Sequence, residues 1–465
     1  MNLKKYKYIY LIGVGGIGMS ALARYFNANG YHVYGYDSTE SSLAFLLEKE
    51  GVDIHYSASI KNIPENIKHA KHDELLIIYT PAVSLDNLEC KYFLDRKFTL
   101  YKRAEILGVI SKQVFTIAVA GTHGKTTTAT MLAHILFQSG KEITAFLGGI
   151  SKDYKTNLLL SETDDFLIVE ADEYDRSFLQ LYADIAIITS VDSDHLDIYD
   201  DINDLHEAFI QFASQIKDRG CLFIENDIDL DLPCPKYGYL YRYSAKKRTD
   251  YYAENINIKS GKTFFDTRLF NVTSGVYSAL KKDVEIFLPG EHNVANAIAA
   301  LAVGSYIGLS INKMADDLSL FQGIERRFDR HIETDKLVYI DDYAHHPNEL
   351  SATISAVKQL YPGRDLTVIF QPHLFTRTKD FAKDFADALS VAENLFLLDI
   401  YPAREKPIVG VDSEMLLELC HNDSKEVCSK DEVLDLLISR KIDVLLTLGA
   451  GDINTLVKPI KEMLN

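Results

Sequence analysis

The stretch AVAGTHGKTTT, residues 118–128, follows apolar residues typical of a buried strand and leads into a helical pattern. A strand, a glycine-containing loop and a helix in this order form a nest of backbone N–H groups that holds a phosphate. The spacing predicts that Lys125 reaches the terminal phosphates of a nucleotide and that the Thr126 hydroxyl binds Mg²⁺. Only two residues separate Gly121 from Gly124, so the loop is shorter than the usual pattern.

A second glycine-rich stretch, LIGVGGIGMSALA, covers residues 11–23. Gly13, Gly15 and Gly18 spell G-x-G-x-x-G after a predicted strand, and Asp37 follows the next strand, as in a dinucleotide-binding turn. The basic residues before the stretch also fit a secretory signal. The four glycines would break the helix that such a signal requires. We therefore predict a turn that receives a diphosphate.

The composition restricts the class of protein. The net charge of −18 argues against a nucleic-acid partner, because a phosphate backbone requires a basic surface. The sequence contains no run of about eighteen apolar residues, so we expect no membrane insertion. The five cysteines are scattered and form no C-x-x-C pair, which predicts neither a zinc site nor disulfides and favours a reducing, cytoplasmic location.

Apolar, β-rich runs alternate with helical patterns along the chain, which favours an α/β fold with parallel sheets. The clearest predicted strands are residues 8–12, 115–120, 366–370 and 444–448. We predict three domains, at residues 1–111, 112–325 and 326–465. A polar, tyrosine-rich stretch at residues 233–282 is predicted to add β-hairpins to the middle domain.

Two acidic segments of the middle domain, LIVEADEYDRSF and TSVDSDHLDIY, each follow a predicted strand. Carboxylates at the carboxyl ends of parallel strands lie where such sheets bind ligands. Beside a phosphate loop, Glu170 is therefore predicted to bind Mg²⁺ through oxygen, and His195 to occupy a second metal position. The alternative is a solvated acidic surface.

Further polar residues stand at predicted helix starts and strand ends. Asn293 and Asn296, in LPGEHNVANAIAA, fit either helix capping or recognition of an adenine edge. In the last domain the charged residues gather near the strand ends and indicate anion binding; they are Arg326, Arg327, Asp341, Asp342, His345, His346, His373 and Arg377.

These motifs, together with GAGD at residues 449–452, resemble in content and order those of the ATP-dependent Mur ligases. The GTHGKT loop is also similar to that of folylpolyglutamate synthetases, whereas the N-terminal stretch is not. The resemblance implies a Rossmann-like N-terminal domain for a UDP-sugar, a central P-loop ATPase-like parallel sheet for ATP, and a Rossmann-like C-terminal domain for the amino acid. The implied reaction converts a carboxylate into an acyl phosphate, which an amine then attacks.

The resemblance also implies site residues. The expected ATP ligands are Gly121, Thr122, His123, Gly124, Lys125, Thr126, Thr127, Asn293, Asn296, Arg327 and Asp342, with Mg²⁺ on Thr126, Glu170 and His195. The expected ligands of the UDP-sugar and the amino acid are Gly13, Gly15, Gly16, Gly18, Met19, Ser20, Asp37, Thr80, Tyr343, His345 and Arg377. The expected catalytic residues are His123, Lys125, Arg327, His345, His346, His373 and Arg377.

Two departures from the family pattern bear on the substrate. Other branches carry a modified lysine soon after the metal-binding histidine, and here the first lysine after His195 is Lys217. This is similar to the alanine-adding branch, which implies UDP-N-acetylmuramate and L-alanine as substrates. Leu374 stands where some members of that branch have arginine, so Arg377 is expected to carry more of the contact with the substrate carboxylate.

Three alternatives stay open on the sequence. The first is a recycling ligase that attaches an intact tripeptide to the same UDP-sugar. The second is an NAD-dependent oxidoreductase built on the N-terminal glycines, and the third is a nucleotide-binding regulator without catalysis. The chain is expected to be a monomer or a homodimer.

Overall fold

The computed structural model describes residues 1–163, 165–192, 198–199, 201–259, 261–271, 275–278, 280–403 and 405–465. Within these residues, three sheets contain five, eleven and six strands. The chain forms two compact units. The first comprises residues 1–255, 265–285 and 294–322, and the second comprises residues 256–264, 286–293 and 323–465.

The first sheet is parallel, with strand order β3-β2-β1-β4-β5. Its strands are β1 (Tyr8–Ile12), β2 (His32–Tyr36), β3 (Asp53–His55), β4 (Leu75–Tyr79) and β5 (Leu100–Lys102). Its helices are α1 (Ile17–Ala28), α2 (Ser42–Lys49), α3 (Glu65–Lys68), α4 (Leu88–Asp95) and α5 (Arg103–Ser111). The strand order reverses beside β1, and parallel sheets of this kind bind ligands at the carboxyl edge of such a switch point.

The second sheet has the order β15-β14-β13-β12-β11-β10-β6-β9-β7-β8, with β16 paired to β14. Its strands are β6 (Thr116–Ala120), β7 (Ile143–Ser151), β8 (Thr156–Leu159), β9 (Phe166–Glu170), β10 (Ile185–Ile188), β11 (Cys221–Glu225), β12 (Tyr239–Ser244), β13 (Tyr251–Lys259), β14 (Lys262–Asn271), β15 (Val276–Tyr277) and β16 (Lys281–Ile286). Its helices are α6 (Lys125–Gln138), α7 (Ile202–Ser214), α8 (Glu291–Tyr306) and α9 (Ile311–Ser319). The strands from β7 to β12 in this order are parallel neighbours.

The third sheet has the order β17-β18-β22-β19-β20-β21, and all its pairs are parallel except β17 with β18. Its strands are β17 (Asp329–Glu333), β18 (Val338–Asp342), β19 (Leu366–Phe370), β20 (Asn394–Leu397), β21 (Ser424–Val427) and β22 (Val444–Leu448). Its helices are α10 (Pro347–Leu360), α11 (Phe375–Asp380), α12 (Ala382–Leu389), α13 (Ser413–Leu419), α14 (Val433–Ile438) and α15 (Val457–Leu464).

The predicted α/β fold with parallel sheets is confirmed. The central strands β6, β19 and β22 are buried along their whole length, because helices cover both faces of such sheets. The tyrosine-rich stretch forms β13 and β14, which are sheet neighbours. In the described part of the chain, no helix is long and apolar enough to cross a membrane. The exact domain boundaries stay a prediction.

One fully buried side chain joins the first two sheets within the first unit. Asn157 on β8 donates from Nδ2 to the Ile17 carbonyl at 2.6 Å and to the Ser20 hydroxyl at 2.9 Å. Its Oδ1 accepts from the guanidinium of Arg24, which also pairs with Glu50 at 2.9 Å. Helix α1 is therefore fixed against the central sheet by hydrogen bonds in a dry environment.

We expect Asn157→Ala to destabilise the protein, because the buried Arg24 guanidinium loses an acceptor. A buried polar group left without its partner costs about 1–3 kcal/mol, and we expect a fall of about 3–6 °C in Tm. Scanning calorimetry measures this, with Asn62→Ala as the control. Asn62 is exposed and donates to the Ser57 carbonyl at 2.9 Å. Equal falls in the two variants would contradict the prediction.

Candidate functional site

The phosphate loop predicted from GTHGKT lies between β6 and α6. Gly121 has φ +132°, and a Cβ there would lie 2.1 Å from the Thr189 hydroxyl. Gly124 has φ +79°, and a Cβ there would lie 2.6 Å from the Asn296 side-chain oxygen. Both positions need glycine for conformation and for space. Helix α6 begins at the next residue, so its free N-terminal N–H groups meet the loop.

Lys125 is held by three acceptors around its ammonium group. Its Nζ lies 2.6 Å from the Gly121 carbonyl, 3.2 Å from the Thr122 carbonyl and 2.8 Å from a carboxylate oxygen of Glu173. Burial acts to lower the pKa of Lys125, but the carboxylates of Glu173, Asp172 and Glu170 outweigh it and hold the pKa above its usual value. The lysine is therefore a stable cation beside the loop.

Glu173 was noted in the sequence only as one of several carboxylates after β9. The structure buries it fully and pairs it with Lys125, while its backbone carbonyl accepts from the Tyr199 hydroxyl at 2.6 Å. A carboxylate is rarely buried without a cationic partner. Its position three residues after Glu170 was the only sequence feature that could have drawn attention to it.

Thr126 and Glu170, predicted as Mg²⁺ ligands, are brought together. The Thr126 hydroxyl donates to the Glu170 carboxylate, with oxygen distances of 2.9 and 3.0 Å. Strands β6 and β9 are neighbours, which places the first turn of α6 beside the end of β9. Gly148 on β7 leaves room for the carboxylate, since a Cβ there would lie 1.9 Å from it. His195 lies outside the described residues.

The segment after β10 supports the phosphate loop from the other side. Ser190 Oγ accepts from the His123 N–H at 2.8 Å and lies 2.9 Å from the Thr122 hydroxyl. The His123 imidazole lies 3.6 Å from the Asp192 carboxylate. The loop conformation thus depends on side chains from a neighbouring strand end.

The two asparagines of α8 have different partners. Asn296 accepts from the Thr128 hydroxyl at 3.0 Å and lies against Gly124, so it belongs to the surroundings of the phosphate loop. Asn293 donates from Nδ2 to the Pro289 carbonyl at 2.6 Å. This bond is a cap-like contact with the preceding turn, and both the capping and the adenine interpretations of Asn293 remain predictions.

Asp342, at the end of β18 in the second unit, is a buried carboxyl group. Its two oxygens accept from the N–H groups of Phe328 at 2.7 Å and Ala344 at 2.8 Å. Burial raises the pKa of Asp342 to about 6, an effect that the Arg327 charge and these two bonds reduce. A carboxylate oxygen can accept more than one bond, so these two bonds do not exhaust the hydrogen-bonding capacity of Asp342.

The predicted aromatic and basic residues of the second unit form a row. The Arg327 guanidinium lies 5.0 Å from the Tyr343 ring centre, and the Tyr343 and His345 rings are 5.3 Å apart. The His345 and His373 rings are 5.9 Å apart, and His373 stacks on Tyr401. The row therefore brings together four of the residues that the sequence singled out.

Three other predicted residues, His346, Leu374 and Arg377, lie in or beside the helices α10 and α11. His346 accepts from the Asn348 N–H at 3.4 Å and caps α10, with its ring against Phe381. Arg377 is buried in α11. Leu374, which precedes that helix, has φ +74° and accepts from the Thr378 hydroxyl at 2.7 Å.

The N-terminal glycine turn lies at the carboxyl edge of the first sheet. A Cβ on Gly13 would lie 2.4 Å from the Thr80 methyl group, so Thr80 closes one side of the turn. Asp37 Oδ2 accepts from the Gly15 N–H at 2.8 Å, and Oδ1 accepts from the Thr39 N–H at 3.1 Å. Asp37 thus fixes the turn.

The other residues predicted for this site lie on or beside the first turn of α1. Gly16 is the N-cap of the helix, and a Cβ there would lie 3.8 Å from the Gly13 carbonyl. The Met19 and Ser20 side chains are buried, and Ser20 bonds to Asn157.

Comparison with protein-family models gives three matches along the chain. Residues 8–114 match the Mur ligase family catalytic domain, residues 119–304 match the Mur ligase middle domain, and residues 326–451 match the Mur ligase glutamate ligase domain. Together these matches span most of the chain.

Curated relatives and solved structures agree with these models. The chain is 47% identical over 465 residues to the UDP-N-acetylmuramate–L-alanine ligase of Parabacteroides distasonis, covering 100% of this chain and 98% of the relative. It is 45% identical over 466 residues to the enzyme of the same name from Flavobacterium johnsoniae, covering 100% and 99%. The crystal structure of UDP-N-acetylmuramate-alanine ligase MurC from Thermotoga maritima is 26% identical, with a TM-score of 0.82 and coverage of 98% and 99%.

A more distant structure, the murein peptide ligase mpl from Psychrobacter arcticus, shares the fold at 23% identity and a TM-score of 0.71. The three family models, the full-length relatives and the site geometry lead to one assignment. This chain belongs to the Mur ligase family.

Proposed function

We propose that this chain joins L-alanine to the lactyl carboxylate of UDP-N-acetylmuramate, with ATP as the energy source, in peptidoglycan precursor synthesis. The observation that carries the proposal is the identity of 43–47% over nearly the whole chain with relatives that share one name, UDP-N-acetylmuramate–L-alanine ligase. The site residues support it, because they suit transfer of a phosphoryl group.

ATP fits the first unit as a substrate held by the loop Gly121–Thr127. Loop and helix N–H groups would bind phosphate oxygens, and Lys125 would exchange its present acceptors for the β- and γ-phosphates. Thr126 and Glu170 offer the hard oxygen ligands that Mg²⁺ prefers, and we assign the ion to them and to His195. When bound, Mg²⁺ neutralises charge on the phosphate oxygens.

The reaction proceeds in two steps. A lactyl carboxylate oxygen forms a bond to the γ-phosphorus while the bond to the bridging oxygen breaks, which gives an acyl phosphate and ADP. The alanine amine then bonds to the acyl carbon, loses a proton, and phosphate leaves. Such transfers depend on positioning and on neutralisation of charge.

In a chain of net charge −18, basic residues near the reacting groups are needed to neutralise the charge of the anionic substrates. We assign Lys125 and Arg327 to the transferred phosphoryl group. The acyl phosphate and the alanine are assigned to His123, His345, His346, His373 and Arg377. Tyr343 and Arg377 would contact the amino acid.

The turn at Gly13–Ser20, with Asp37 and Thr80, would receive the UDP part of the sugar nucleotide. Asp342 would accept from a ribose hydroxyl of ATP, and Asn293 and Asn296 would approach the adenine.

We also propose a compartment and an oligomeric state. All five cysteines are free and four of them are buried, which suits a reducing compartment, and we place the protein in the cytoplasm. We retain a monomer or a homodimer as the oligomeric state. The family assignment replaces the oxidoreductase and regulator alternatives.

A substrate-omission assay tests the function. We expect phosphate release only when UDP-N-acetylmuramate, ATP, Mg²⁺ and L-alanine are all present, because the amine is needed to release the phosphate. A parallel reaction contains the tripeptide in place of L-alanine and should give background release. Release with the tripeptide alone would establish the recycling ligase instead.

Lys125→Met tests the phosphate loop. Loss of one positioned donor to a developing phosphate charge reduces catalysis by about 100-fold or more, and we expect such a fall in kcat/KM for ATP. The control is Lys236→Met, since the Lys236 side chain is 67% exposed and lies 3.9 Å from Asp218. Turnover of the Lys125 variant at the native rate would contradict the assignment.

The raised pKa of Asp342 predicts a pH effect on ATP binding. This carboxyl keeps its proton up to a pH of about 6, so its charge is present above that pH and lost as the pH falls through it. An ionised acceptor forms the stronger bond, and we expect KM for ATP to rise about 2- to 4-fold from pH 7.5 to 5.5 at saturating Mg²⁺. Asp342→Asn should show a high KM without the further rise; an equal rise in this variant would contradict the prediction.

A further inference from the structure

Arg103 lies across the first turn of α1, beside the N-terminal glycine turn. A Cβ on Gly18 would lie 2.8 Å from Arg103 Nη1 and 3.0 Å from Cζ. Gly18 is an ordinary helical residue of α1, so glycine is needed here for space and not for conformation. The third glycine of the G-x-G-x-x-G pattern therefore makes room for a guanidinium group.

This guanidinium has unused hydrogen-bonding capacity. Within the described ranges the one carboxylate within 4 Å of its nitrogen atoms is that of Asp172, whose oxygen lies 3.9 Å from Nη2, beyond hydrogen-bonding distance. The neighbouring Lys102 is paired at 2.6 Å with Asp175, and Arg24 is paired with Glu50. Arginine carries five N–H donors in a planar fork that matches phosphate oxygens.

The glycine turn has fewer backbone N–H groups available to an anion than its sequence suggests. The N–H groups of Gly13 and Val14 donate to the Tyr36 carbonyl, at 2.7 and 3.1 Å. The Gly15 N–H donates to Asp37, which also places a carboxylate against the turn. A diphosphate bound here needs a cation to offset both its own charge and that of Asp37, and Arg103 is placed to supply it.

Arg103 also lies on the route from this turn to the phosphate loop. Its neighbour Asp172 is followed directly by Glu173, which holds Lys125. In the proposed function, the diphosphate of the sugar nucleotide lies at the N-terminal glycine turn and its reacting carboxylate lies at the phosphate loop. A guanidinium between the two can fix the direction in which the substrate lies.

We propose that Arg103 binds the diphosphate of the UDP-sugar and positions the substrate so that its carboxylate points toward Lys125. This inference rests on the proposed function and adds a positioning residue to it. The bond from the guanidinium to the phosphate oxygens is charge-assisted and can be bidentate.

Steady-state kinetics of Arg103→Gln test the proposal. We expect KM for UDP-N-acetylmuramate to rise at least about 30-fold, because a charge-assisted contact to phosphate is lost, while KM for ATP and for L-alanine stays within about twofold. Arg103→Lys should recover part of the loss, since it keeps the charge but not the fork. The control is Arg96→Gln, because Arg96 is exposed and bonds to Tyr92 and the Lys68 carbonyl.

Calorimetric titration with UDP and with uridine separates phosphate binding from a structural role. We expect Arg103→Gln to weaken UDP binding at least about 10-fold and to leave uridine binding within about twofold, with an unchanged Tm. Equal losses for both probes, or a native KM for the sugar nucleotide, would overturn the inference. If the native chain itself shows no alanine-dependent turnover, the proposed function fails, whatever the Arg103 variants do.

Discussion

The buried ion pair between Lys125 and Glu173 is the interaction on which the rest of the site depends. A lysine ammonium can be buried only if its charge is compensated and its three N–H bonds are accepted. Glu173 and the carbonyls of Gly121 and Thr122 meet both conditions. The same contacts fix the loop in the shape that phosphate needs, so the charge is in place before the nucleotide binds.

The acidic segment after β9 connects three parts of the first unit. Glu170 accepts from the phosphate-loop helix, and Glu173 holds Lys125. Asp172 and Asp175 face Arg103 and Lys102, which lie where β5 meets α5. Asp175 and the next residue have positive φ, which turns the chain so that successive carboxylates face different partners. One short segment thus connects the phosphate loop with the N-terminal glycine turn, where we propose that ATP and the UDP-sugar bind.

The N-terminal turn has the glycine pattern of a dinucleotide-binding turn, but its acidic residue also has a structural role. In a dinucleotide-binding turn the acid after the second strand meets a ribose. Here both oxygens of Asp37 accept from backbone N–H groups, so the acid also stabilises the turn. Glycine is still required for space at two positions, because Thr80 lies close to Gly13 and Arg103 lies close to Gly18.

The sequence by itself determined the class of fold, the strands β1, β6, β19 and β22, and the phosphate loop, because these follow from local patterns of apolar and glycine residues. It also predicted Thr126 and Glu170 as ligands of one Mg²⁺ ion, and the structure brings the two side chains within hydrogen-bonding distance, while the metal site itself stays a prediction. Only the tertiary structure showed the contacts of Glu173, Arg103 and Asn157. Their partners lie 48 residues away for Glu173 and 133 for Asn157, and no local pattern records a contact that exists only after the sheets pack.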